Sequence, residues 1–155
     1  MNKSESIKEL MSALSKAQAE IKSAEKDKIN PHFKSKYSSE EAIWEACRNP
    51  LTKHNLAVSH TCNFDENGTF LETILAHGAS GEYIISRTPL FGINNMQNLG
   101  SAESYAKRYA LSAIAGVPTG EDDDAEKTMN RPIAPKPLTN YATKPTPSRP
   151  PESRP

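Results

Sequence analysis

Two short stretches of the chain set cations among aromatic rings. One is His32-Phe33-Lys34-Ser35-Lys36-Tyr37 and the other is Ser104-Tyr105-Ala106-Lys107-Arg108-Tyr109. Lysine and arginine attract phosphates whatever the base sequence, and an aromatic ring offers a face on which a base can stack. In an extended segment Lys34 and Lys36, two residues apart, point the same way. On a helix, the spacing predicts that Tyr105 and Tyr109 face a sheet while Lys107 and Arg108 flank them. The chemistry suggested is nucleic-acid binding. The competing reading makes the tyrosines core and the cations a solvated face.

Other chemistries lack their residues. Cys47, His54, His60, Cys62 and His77 show neither C-x2-C nor H-x3-H spacing, and a packed strand face explains His60 with Cys62, so no metal is expected. There is no G-x-S-x-G, no activated-cysteine signature and no P-loop, which argues against nucleophilic catalysis and against an ATP-driven motor. The expectation is therefore a protein that is not an enzyme and needs no cofactor. The run Glu121-Asp122-Asp123-Asp124 could hold Mg²⁺. Four acids after a helix end read first as a solvated boundary, and no second carboxylate cluster or base supports a metal-dependent nuclease.

The elements that must position the two stretches follow from hydrophobic periodicity. Ile7, Leu10, Met11, Leu14, Ala17, Gln18 and Ile21 recur at helical spacing and predict a first helix to about residue 26, opened by a Ser6/Glu9 capping box. Asn30-Pro31 then starts a turn. A second helix begins near Ser38 or Ser39, with Ser38 and Glu41 as its capping box and Ile43, Trp44, Cys47 and Leu51 as its stripe. Pro50 must kink or restart it. Residues 56–64, 69–77 and 82–88 alternate as three strands, with Asp65–Gly68, which holds the favoured Asn-Gly pair, and Gly78–Gly81 as turns. After a loop over 90–98, a third helix runs from about Leu99 to Ala115, with Gly116 at its C-terminal position. The expected fold is α+β: two N-terminal helices, a three-stranded antiparallel meander and a following helix, with the helices on one face of the sheet.

Composition divides the chain. It has 155 residues and zero formal charge, with 19 basic and 19 acidic side chains. Residues 125–155 hold eight of the twelve prolines, and six basic against two acidic residues give that stretch a charge of +4. Residues 1–124 carry −4, from 13 basic and 17 acidic residues. With few large apolar side chains, residues 126–155 are expected to be a disordered, Pro-rich basic tail behind a domain at 1–125. No run of apolar residues is long enough for a transmembrane helix, and the amphipathic start MNKSESIKEL predicts a cytoplasmic protein. Two cysteines are too few for a disulfide scaffold.

The quoted motifs resemble a known family. Asn30-Pro31-His32-Phe33-Lys34-Ser35-Lys36-Tyr37 is similar to the N-P-x-F-K-S-K-Y segment of the essential recombination function (ERF) family, the single-strand annealing proteins of bacteriophages and prophages. The stretch from Gly100 to Leu111 resembles that family's G-S-A-x-T-Y-A-[KR]-R-Y-A-L, with Glu103 where an apolar residue is common and Ser104 where Thr is usual. His77-Gly78 with Ser80-Gly81-Glu82, and the run Asp122–Asp124, fall in the family's order, so the resemblance spans roughly residues 5–125.

The resemblance implies an ATP-independent protein that binds single-stranded DNA and pairs complementary strands during recombination and repair in a bacterial host cell. It also implies a β-β-β-α core shared with eukaryotic Rad-type annealing proteins, and homo-oligomeric rings or filaments built head to tail. A host single-strand-binding protein is a further candidate partner. On this reading His32, Lys34, Lys36, Arg87, Lys107 and Arg108 contact DNA, and Tyr37 and Tyr105 stack on bases. The alternative is an adaptor acting through its Pro-rich tail, with DNA contact incidental.

Overall fold

The computed structural model describes residues 2–30 and 34–119. The elements run β1 (Asn2–Lys3), α1 (Lys8–Glu20), β2 (Lys28–Ile29), β3 (Lys36–Tyr37), α2 (Glu40–Lys53), β4 (Leu56–Asp65), β5 (Gly68–His77), β6 (Tyr83–Pro89) and α3 (Met96–Ala115). This corrects the expected two helices and three-stranded meander. The main sheet has four antiparallel strands in the order β1-β6-β5-β4, and a separate two-stranded sheet, β2-β3, lies between the first two helices. The three added strands are two residues each, too short for any alternation to be read. Ser4 fixes β1 from its end: its amide donates to the Tyr83 carbonyl, and its hydroxyl accepts from the Tyr83 amide, each at 3.0 Å.

Alternation along the long strands selects one apolar face. Leu56, Val58 and Cys62 of β4, Leu71 and Leu75 of β5, and Ile84 of β6 lie on it in register, and all three helices pack there. Leu10, Ala13, Leu14 and Ala17 of α1 join Ile43, Cys47 and Leu51 of α2 and Leu111 and Ala115 of α3 in the main cluster. Burial pushes the Cys47 thiol up to about 11, so this cysteine is a packing residue rather than a nucleophile. A second cluster sets Ala106 and Ala110 of α3 on Leu71 and Leu90. These small side chains let the helix backbone lie close over the sheet.

Helix ends depart from expectation through tertiary contacts. α1 stops at Glu20, and Ala24 is instead buried, with its amide donating to the Pro118 carbonyl at 3.0 Å. Its N-cap, Ile7, makes no side-chain cap, so the Ser6/Glu9 box does not form. The carboxylate of the distant, buried Glu82 accepts from the Leu10 amide at 2.7 Å instead. α2 is capped by Ser39 rather than Ser38: the Ser39 hydroxyl accepts from Ala42 N at 3.1 Å, and the helix continues through Pro50 without restarting. α3 begins three residues before the expected start, capped by Asn95, and ends on Gly116 with φ 74°, where a Cβ would come 2.6 Å from Gln18 Nε2. The β4–β5 turn is the expected Asp65–Gly68, with Asp65 paired to Gly68 and Glu66-Asn67 at its centre.

Hydrogen bonds from Ser6 and from the Leu10 amide hold the Glu82 carboxyl below its ordinary value of 4.5. A carboxyl that is more acidic in the folded state adds stability that is complete above its unfolded pKa. That stability is lost as pH falls through the folded value. Melting temperature is therefore expected to drop on acidification below about pH 4.5, and to drop less in Glu82→Gln, whose melt at neutral pH is already lower. Thermal melts followed by circular dichroism across pH 3 to 7 measure both; parallel profiles for the two proteins would count against this role.

Candidate nucleic-acid interface

The two basic-aromatic stretches meet in space. Strands β2 and β3 pair antiparallel as a hairpin, with Lys28 opposite Tyr37 and Ile29 opposite Lys36. Its base is tied down twice. Asp27 accepts from both the Ser39 amide and the Ser39 hydroxyl at 2.7 Å, and the buried Ser38 hydroxyl donates to the Ala24 carbonyl. The Ser39 hydroxyl, then its amide, holds the Asp27 carboxyl below the usual carboxylate range. The hairpin is thereby seated at the start of α2, beside α3.

Arg108 of α3 joins the two stretches. Its guanidinium carbon lies 4.6 Å from the ring centre of Tyr37, 4.6 Å from that of Tyr109 and 5.4 Å from that of Tyr105. One nitrogen donates to the Ser38 carbonyl at 3.4 Å and another to the Tyr109 hydroxyl at 3.0 Å. The Tyr105 hydroxyl donates to that of Tyr109 at 3.2 Å, with the rings 4.7 Å apart and tilted by 50°. Tyr105 is 62 % exposed and Tyr109 41 %, so neither faces the sheet as the spacing suggested. The sheet-facing stripe of α3 is its alanines, and the rings sit one step around the helix. A planar cation among three rings, two of them open to solvent, can meet phosphate oxygens while the rings receive bases.

This arrangement brings the Tyr37 end of the N-P-x-F-K-S-K-Y motif to the Y-A-[KR]-R-Y motif, and the chain matches the ERF superfamily over residues 10–149. It belongs to that superfamily. The match covers most of the chain and extends past residue 125, where the quoted motifs stop. ERF membership associates the chain with phage recombination by single-strand annealing. No curated protein and no solved structure matches it.

The remaining candidate residues are placed unevenly around this ERF cluster. Lys34 and Lys36 are exposed on the hairpin, but Lys34 has φ 54°, so the segment is not extended there and the two side chains are not bound to point alike. His32 lies outside the described residues. Lys107 is half-buried and bonded to Glu103 at 2.7 Å, and that bond raises its pKa. Behind it His60, 2.9 Å from the Thr73 hydroxyl, has its pKa lowered by burial first and by Lys107 second. Arg87 is apart from the others, on the sheet face opposite the helices. It pairs there with Glu72 at 3.1 Å and covers the Phe70 ring at 4.5 Å. Tyr109 was missing from the DNA-contact set; its i, i+4 spacing from Tyr105, next to Arg108, was the available signal. Among the described residues no group of three His, Cys, Asp or Glu side chains could hold a metal ion, and no helix is long and apolar enough to cross a membrane.

Proposed function

We propose that the chain binds single-stranded DNA through the Arg108–tyrosine cluster and the adjoining hairpin, and anneals complementary strands without nucleotide hydrolysis. The observation that carries this reading is the guanidinium of Arg108 held among Tyr37, Tyr105 and Tyr109 with two rings exposed. Annealing makes and breaks no covalent bond. It requires a strand held by its phosphates with its bases presented, and enough neutralised charge for a second strand to approach. Lys34 and Lys36 extend the positive surface on the hairpin. Arg87 lies too far around the sheet to share that strand, so its DNA contact is not part of this proposal. Assembly into a ring or filament belongs to the same reading. It is supported by β4, a ten-residue strand at one edge of the sheet with no strand beyond it among the described residues. Residues 1–125 are the annealing domain on this reading, acting in the bacterial cytoplasm.

The test is pairing of two labelled complementary oligonucleotides with protein and no nucleotide, across a salt series. Acceleration that fades with salt supports the proposal. Folded, oligomeric protein that leaves the pairing rate unchanged overturns it, and loss of function on deleting residues 126–155 alone would favour the adaptor reading.

Glu103 sets a limit on this surface. Its carboxylate occupies Lys107, and it adds a negative charge beside the proposed strand. Glu103→Gln frees the lysine, so single-strand affinity is expected to rise about threefold to tenfold at low salt, with a steeper salt dependence. Fluorescence anisotropy of a labelled oligo(dT) reads both; unchanged affinity would place Lys107 outside the strand's path.

A further inference from the structure

The described chain ends at Thr119, one residue after the Pro118 carbonyl that bonds to Ala24. Ala24, to which that exit is bonded, lies between Ser23 and Glu25, which line a groove between residues 20–27 and α2. α2 turns two parallel stripes to the groove, each at i, i+4, i+8: Ala42, Ala46 and Pro50 form an apolar one, and Glu41, Glu45 and Asn49 a polar one. Five carboxylates line the groove against a single cation, Lys22. Glu20 is engaged by Lys53 and His54, and Asp27 by Ser39. Glu25 and Glu41 have no ion pair and no side-chain hydrogen bond among the described residues, and Glu45 has only the exposed Arg48.

The sequence that follows the exit is complementary. Residues 127–155 contain six cations and one acid, and five of the cations, Arg131, Lys136, Lys144, Arg149 and Arg154, directly precede a proline. A residue before proline favours extended backbone, so each such pair sets a cation beside an apolar ring. In polyproline geometry, cations five residues apart are about 15 Å apart. The α2 stripes are about 12 Å long. Residues 120–126 can span up to about 23 Å, ample for a groove beside the exit.

We propose that the segment 127–155 docks on this groove of its own chain. Its prolines lie on Ala42, Ala46 and Pro50, and its cations lie beside Glu25, Glu41 and Glu45. The inference is independent of DNA binding at Arg108.

Carbodiimide cross-linking of the full-length protein tests it, because this reagent joins a lysine amine to a carboxylate in contact with it. In an equal mixture of ¹⁴N and ¹⁵N protein, mass spectrometry should find Lys127, Lys136 or Lys144 joined to Glu25, Glu41 or Glu45 within chains of one label. These links should fall about tenfold at high salt. Glu41→Gln/Glu45→Gln should lose the links to those two positions with an unchanged melt, and Lys136→Gln/Lys144→Gln, altered outside the described residues, should reduce the links as well. About half of the links joining unlike labels, the share that pairing between chains gives in an equal mixture, would overturn docking in cis. Links spread equally to remote acids such as Glu5, Glu66 and Glu72, or none from the segment, would overturn docking on the groove.

Discussion

Replacing Arg108 with alanine is expected to lower single-strand affinity about tenfold to a hundredfold, or roughly 1.4–2.8 kcal/mol. Two losses combine. One cation leaves the strand's path, which flattens the salt dependence by about 0.7 for a single strand. The three rings also lose the group that holds them, and a stacked base is worth about 1–3 kcal/mol. Arg108→Lys separates these terms. It keeps the charge but gives up the flat contact with Tyr37 and Tyr109 and the paired bonds to the Ser38 carbonyl and the Tyr109 hydroxyl. The lysine variant should therefore recover the salt slope and little of the affinity. Stability should change by less than affinity, since an exposed cation–π contact contributes about 0.5–1 kcal/mol. Anisotropy titrations and melts on the three proteins decide the matter: wild-type binding by Arg108→Ala would remove this cluster from the DNA path.

The parts of the fold legible in the sequence are those with a repeating apolar pattern. Leu10, Leu14 and Ala17, or Leu71, Thr73 and Leu75, show their period within a few residues, and the elements carrying them lie where that period puts them. What was illegible is made by single contacts between distant residues. The cap of α1 comes from Glu82, seventy-two positions beyond Leu10, and nothing local distinguishes that glutamate. β1 exists because two polar residues find the free edge of β6. Helical spacing turns the tyrosines of α3 toward the sheet, yet alanines at 106 and 110 fill the space over it. A small residue at the contact and a large one beside it reverses the usual inference, and here it exposes the rings that the site uses. Arg87 shows the converse. Its residue type suited DNA, and only the register with Glu72 assigns it to the opposite face.

Leu111→Ala should do the reverse of the Arg108 change. Leu111 is 2 % exposed, three residues after Arg108 on the inner side of α3, in the cluster that joins that helix to α1 and α2. Truncating a leucine at such a position costs about 2–5 kcal/mol, from lost burial and the cavity left behind. That is a large part of the 5–15 kcal/mol typical of a domain. The urea midpoint should fall sharply, with little change in the slope of the transition. Single-strand affinity, measured well below the melting temperature, should stay within about twofold of the wild type, because the rings, Arg108 and the Ser38 carbonyl are untouched in molecules that remain folded. Near the melt, binding and ellipticity should vanish together. The two substitutions sit one turn apart on one helix, so a uniform loosening of α3 would make them behave alike. If Leu111→Ala loses affinity at temperatures where it is fully folded, the strand contact extends to the inner packing of α3. If affinity follows only the folded fraction, the inner face of the helix holds the scaffold and the outer face binds.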